Sequence, residues 1–103
     1  MKLELVQQAA RDGDTSYNLH RILQAIAGCS PDTDIVVFPE AQITGFLNAQ
    51  NIAGNAEPLD GPSLQAVQRA ARERGVAVVV GLIENDGGKF YNTTVFVAPR
   101  ACC

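Results

Sequence analysis

The sequence offers one histidine, His20, for imidazole chemistry. That count excludes a histidine-rich zinc site and any triad built on two imidazoles. A triad with one imidazole survives the count, but nothing places His20 near a nucleophile, and its position beside an apolar helix stripe reads as a polar margin. Cysteines number 3, namely Cys29, Cys102 and Cys103, and their odd count and spacing match no metal framework. Basic residues are few: 8 Lys and Arg stand against 11 Asp and Glu, giving a net charge of −3 with no basic block. No nucleic-acid partner is expected on that balance. The longest apolar run, Val76 to Val80, is far too short to cross a bilayer, so no membrane partner is expected either. Met1-Lys2 leads into a short alternating run unlike a secretory leader, and the expected compartment is the cytoplasm. Repeats and low-complexity segments are lacking. So is a Gly-x-Gly-x-x-Gly after the first strand, which speaks against a dinucleotide fold.

What is present suits one small globular domain. The chain has 103 residues, of which 47% are apolar. A core of this size is real but only moderately stabilising. Leu3 to Ala9 reads as a first strand. Asp14 suits the N-cap of a helix whose apolar face is Leu19, Ile22, Leu23 and Ile26, and Gly28 suits its end. Asp34 to Phe38 reads as a second strand. Glu40 to Glu57 reads as a polar loop without a period, long enough to suggest a functional or covering role. Pro62 suits the first position of a second helix with Leu64, Val67, Ala70 and Ala71 inward, closed by Gly75. Val76 to Ile83 is a nearly continuous apolar run, as in a strand covered on both faces. Asn85-Asp86-Gly87-Gly88 is hairpin chemistry leading into a fourth strand, Lys89 to Ala98. In that strand Phe90, Asn92, Thr94 and Phe96 share one face, and Tyr91, Thr93, Val95 and Val97 the other. The expected order is β-α-β-α-β-β, with the first three strands parallel.

Chemistry points to Glu40. A β-branched run, Asp34 to Phe38, ends in Pro39-Glu40 and delivers a carboxylate to a strand's C-terminal tip, where α/β proteins tend to place their sites. Two readings are open from the residues alone. Glu40 is a general acid or base beside a long loop, or it is the end of a Pro-Glu turn, capping a backbone N–H or standing in water. Glu84 either supports that site or precedes a turn. Tyr91 and Asn92 either line the site or make strand-pair contacts. Cys29, beside a helix end, reads as a small, partly buried residue.

The order of these elements resembles the N-terminal part of the nitrilase superfamily, the carbon–nitrogen hydrolases. Phe38-Pro39-Glu40 followed by Thr44-Gly45-Phe46 is the specific element. Val6-Gln7, Gly13-Asp14 with Asn18, Gly81 with Glu84, and Tyr91-Asn92-Thr93 follow in order. The resemblance runs to about Pro99. It implies a partial α-β-β-α sandwich of a fold considerably larger than this chain, so residues 1–103 would be the N-terminal part of one domain. It also implies a hydrolase without a cofactor, acting on small linear amides by Glu-Lys-Cys thioester chemistry. Glu40 matches the general base of that set. Amidase is preferred to nitrilase because amide hydrolysis is the commoner family activity.

The chain departs from the family at its end. The family's lysine follows the fourth strand, whereas Lys89 precedes it, and the family's cysteine lies farther on still. Cys102 and Cys103 have no following helix to hold them, and Arg100-Ala101-Cys102-Cys103 reads as a truncated or out-of-frame ending. The isolated chain is therefore expected to be inactive. The alternatives are a non-catalytic remnant or interaction module that associates with itself through exposed sheet surface, or complementation by a separate chain. The family commonly pairs subunits, so a homo-oligomer is expected.

Overall fold

The computed structural model describes residues 1–99. Cys102 and Cys103, and the expectations placed on them, lie outside the described residues. Four strands form one sheet in the order β1-β2-β3-β4: β1 is Leu3–Leu5, β2 Ile35–Val37, β3 Ala77–Asp86 and β4 Lys89–Val97. The first three are parallel, and β4 is antiparallel to β3. The parallel pairs are joined by helices, α1 (Thr15–Ala27) between β1 and β2, and α3 (Pro62–Arg74) between β2 and β3. A single-turn helix, α2 (Ile52–Asn55), precedes α3 and adds one element to the expected order. No apolar period announces so short a turn, which forms because Ile52 packs against a small cluster of Ala41, Ala56 and Ile83.

Local chemistry sets the helix ends. Asp14 Oδ1 accepts the Tyr17 N–H at 3.2 Å and opens α1, which Gly28 closes. Pro62 opens α3, and Gly75 closes it. The α3 entrance has a further cap from outside the helix: Glu57 accepts from Ser63 N (3.2 Å) and Ser63 Oγ (2.6 Å). Opposite charge at a helix N-terminus is favourable. At the other end the Arg74 guanidinium donates to Cys29 O and lies 3.4 Å from its Sγ, tying α3 to the end of α1. Cys29 is buried, deeper than the partly buried position expected, and His20 is exposed.

Both long helices lie on one face of the sheet. Ile22, Ile26, Leu64, Val67 and Ala71 form a single core with Val36, Phe38, Val78, Val80, Leu82 and Val97. The buried stripe of α1 is Asn18, Ile22 and Ile26, with Leu19 and Leu23 only partly covered. A polar residue therefore takes a position where an all-apolar face was expected. The opposite sheet face is bare. Leu3 (54% exposed), Leu5 (70%) and Phe96 (61%) stand on it with Ile35, Val37 and Val79 half-buried among them. The apolar run of β3 predicted cover on both faces. The helices supply one cover, whereas on the other face Ala77, Gly81 and Ile83 are buried and Val79 is left half-exposed.

The β3–β4 ladder runs to Asp86↔Lys89, farther than the apolar run suggested. A two-residue turn makes this geometry available, since Gly87 (φ 60°) and Gly88 (φ 95°) both occupy the region that L side chains avoid. The face assignment of β4 holds: Val95 and Val97 pair with Val80 and Val78 on the helix side, while Phe96 points away.

The start of β1 is clamped by polar contacts. Lys2 N–H donates to Asp34 Oδ2 (2.7 Å), and Lys2 Nζ donates to Asp32 Oδ1 (2.8 Å) and Ser30 Oγ (3.2 Å). Ser30 Oγ also donates to Asp32 Oδ1 (2.6 Å), and the bonds from Lys2 first and Ser30 second hold the Asp32 carboxyl at about 2, below its ordinary 3.8. The same bond raises Lys2 above its ordinary 10.5. The carboxylate's contribution is thus complete above pH 3.8 and is lost as pH falls through about 2. Asp32→Asn is expected to lower the melting temperature slightly at neutral pH. The gap to the parent should close on acidification from about pH 4 to pH 2 and shrink in roughly 1 M salt, as for an exposed pair.

Candidate functional site

Glu40 follows β2 at the C-terminal edge of the parallel strands, and its side chain is exposed. Among the described residues, no hydrogen bond or ion pair engages its carboxylate. The residues after it are the reverse: Ala41, Gln42, Ile43, Thr44 and Gly45 are all buried. The segment expected to be a polar loop is therefore core in its first part, and only from Phe46 onward does it come to the surface.

Backbone obligations explain this burial. β2 ends at Val37, whereas β3 continues to Asp86, so the β3 groups facing that side need other partners. Phe38 N donates to Val79 O (2.9 Å) as the last rung of the ladder, and Ile43 N then donates to Gly81 O (3.0 Å). Ile83 N donates to the Thr44 hydroxyl (3.0 Å), which itself donates to Gly45 O (2.7 Å). Glu57 N donates to Ile83 O (3.2 Å), and Asn85 N to Glu57 O (2.9 Å). The lane beside β3 is thus filled by β2, then by the turn after Glu40, then by Glu57.

The same turn is pinned from the α1 side. Asn18 is 1% exposed, and its Nδ2 donates to Ile43 O (3.1 Å) and Arg11 O (2.8 Å), while its Oδ1 accepts Arg11 N (2.7 Å). Gly13 N donates to Thr44 O (2.9 Å), and Phe46 N donates to Asp12 Oδ1 (2.9 Å). Gly45, at φ 68°, brings the chain so close that a Cβ would lie 2.6 Å from Asp12 Cα. Inside the turn, Ala41 takes φ 53°, a left-handed conformation that costs a non-glycine residue about 1–2 kcal/mol. A Cβ on Gly81 would stand 3.0 Å from Ala41 N and 3.2 Å from Thr93 O. The turn fits against β3 because residue 81 has no side chain.

The other sequence candidates fall elsewhere on the hairpin. Glu84 is half-buried and accepts the Thr93 hydroxyl (2.7 Å), and Tyr91 faces it across the ladder, 48% exposed. Asn92 pairs with Ile83 and stands on the bare face, so it does not share a face with Glu84 and Tyr91. Among the described residues, no hydrogen bond joins Glu40 to Glu84, Tyr91 or Asn92. Their connection is through the lane, where Thr44 and Glu57 flank the backbone of Ile83. Sequence reasoning missed Thr44, Gly81 and Glu57 as structural partners. Asn18 did carry a signal, since a polar residue on a helix's buried stripe needs partners. Gln42, 1% exposed, has an Nε2 donor without a partner among the described residues. No group of three or more metal-ligating side chains occurs among those residues, and no helix there is long and apolar enough to cross a membrane.

An exposed carboxylate on a fixed backbone can take a proton from a group brought to it. Known proteins share this arrangement of elements. Residues 2–101 match the carbon–nitrogen hydrolase family model. The chain is 54% identical over 100 residues to an (R)-stereoselective amidase of a Pseudomonas species, a match covering 97% of this chain and 36% of that one. It superposes on a CN-hydrolase superfamily protein of Xanthomonas campestris with a TM-score of 0.82 at 24% identity, over 94% of this chain and 36% of that one. An amidase from Nesterenkonia gives a TM-score of 0.70 at 26% identity, over 93% of this chain and 36% of that one. The chain thus spans little more than a third of the length of these relatives.

The close approach at Gly81 makes a direct prediction. Gly81→Ala drives a methyl group into two backbone atoms and should cost about 1–3 kcal/mol, read as a lower urea midpoint with an unchanged m-value.

Proposed function

The chain belongs to the carbon–nitrogen hydrolase family, and we propose that residues 1–103 supply the N-terminal part of one amide-hydrolysing domain whose general base is Glu40. The observation that carries this reading is the contrast at Glu40 itself: a free, exposed carboxylate on a turn buried and bonded on both sides. Ala41, directly after it, is held at positive φ, the kind of backbone strain that clusters at functional sites. The 54% identity to an amidase supports amides as the substrate class.

In this reading Glu40 accepts the proton of a thiol that the rest of the domain provides. The thiolate forms a bond to the amide carbon, and the carbonyl electron pair moves onto oxygen, where a lysine stabilises it. Collapse of that intermediate expels ammonia or an amine, which leaves with a proton. Water then hydrolyses the thioester. The work of this chain is to hold the carboxylate in place, with Glu84, Tyr91 and Asn92 as candidate supports around the hairpin. Small amides are the proposed partners, and the cytoplasm the proposed compartment.

The bare sheet face favours a companion proposal, that the rest of the domain packs there. Without it, the isolated chain acts as a self-associating module.

Two measurements test these readings. Residues 1–99 are grafted in place of the matching segment of the Pseudomonas amidase, and ammonia or amine release is followed across a broad amide panel. The graft should turn over, and Glu40→Gln should lower its kcat by roughly 10²–10⁴-fold. A folded graft that is inert on the whole panel ends the amidase reading, and full activity in the Gln variant ends the role of Glu40. For the isolated chain, light scattering after size exclusion should show species larger than a monomer. Leu5→Lys or Phe96→Lys should shift them toward the monomer, whereas a clean monomer in the parent refutes self-association.

A further inference from the structure

We propose that Thr44 and Asn18 are positioning residues for Glu40, acting from opposite sides of the turn that follows it. The inference rests on the reading of Glu40 as a general base and extends it to residues that never touch a substrate.

Three of the anchors between Glu40 and Phe46 differ in what they can control. The Ile43 N–H to Gly81 O bond is backbone to backbone and is available to any residue but proline at position 43. The other two depend on side-chain identity. Thr44 places one hydroxyl between two strands of chain, accepting from Ile83 N at 3.0 Å and donating to Gly45 O at 2.7 Å. Valine has the same shape and can do neither, whereas serine can do both. Asn18 uses both atoms of its amide. It reads the Arg11 backbone in both directions and spends its second donor on Ile43 O at 3.1 Å. The turn is thereby referred to the sheet through Thr44 and to the α1 entrance through Asn18.

This double reference matters because Ala41, directly after Glu40, is held at φ 53°. A residue so placed returns to the ordinary backbone regions once its surroundings loosen. That relaxation rotates the peptide joining Glu40 to Ala41 and moves the carboxylate with it. A proton acceptor displaced by about 1 Å loses rate on the order of 100-fold without losing substrate affinity. Thr44 and Asn18 therefore act on the geometry of Glu40 and not on its chemistry.

The first test uses the full 103-residue chain with labelled backbone amides. The order parameters of Glu40, Ala41 and Gln42 should resemble rigid backbone, about 0.85, in the parent and in Thr44→Ser, and fall below about 0.6 in Thr44→Val. Asn18→Ser should loosen the same three residues and provides the reading if the valine variant fails to fold. Val67→Ala, a core change outside the network, serves as a control for general loss of stability and should leave them rigid. If both network variants keep these residues rigid, or the Val67 control loosens them equally, the proposal is wrong.

The second test places the same substitutions in the grafted amidase. Thr44→Val should lower kcat by roughly 10–100-fold with KM within about 2-fold, and Thr44→Ser should restore it. An active graft whose kcat ignores both network substitutions overturns the positioning role while leaving Glu40 as the base. An inert parent graft ends the amidase reading, and the order parameters then decide alone whether the network holds Glu40.

Discussion

The hydrogen-bonding obligation of one side of β3 organises the molecule. β3 is longer than the strand beside it, and a buried backbone group left without a partner is costly. Three unlike pieces of chain meet that obligation in succession: the rest of β2, a five-residue turn and a single residue of the segment before α3. Each arrives at a fixed height because the ladder is periodic. Glu40, at the junction of the first piece with the second, inherits a definite position from requirements that have nothing to do with its own carboxylate.

That origin explains why the site is well mounted although its sheet is only half covered. The turn is held by polar contacts at its two flanks, by one glycine opposite it and by the burial of Ala41 and Ile43, while the Glu40 side chain itself stays outside. Glu40 therefore stays accessible while the five residues after it do not. Removing a contact in the helix-side core loosens the whole fold, whereas removing a contact of the turn loosens the site first. The two kinds of damage are separable because they use different residues.

Much of this was legible in the sequence. The β-branched run into Pro39-Glu40, the Asp14 and Gly28 helix ends, Pro62, and the alternation of β4 each follow from local preferences acting over a few residues, and each is where it was expected. The segment from Glu40 to Glu57 was not legible. Its conformation is dictated by Gly81, Ile83 and Asn18, which lie 25 to 39 positions from their partners in the chain. Neither helical nor strand periodicity records such contacts. α2 escaped for the related reason that a single turn of helix has no period to detect. Asn18 is the instructive middle case: the stripe was read as Leu19, Ile22, Leu23 and Ile26, but Asn18 is in step with Ile22 and Ile26, and a polar residue there needs partners that the sequence does not identify.

The external cap that Glu57 provides has a consequence for loop length. Its backbone is locked to β3 and its carboxylate to the start of α3, while Gly45 is locked to the α1 entrance. The arc between these two fixed points, from Asn48 to Gly54, is largely exposed. Apart from Ile52, which packs against Ala41 and Ile83, changes of sequence or length there leave both anchors in place. The fold thus has a place where loops of other lengths can be accommodated beside an unaltered carboxylate.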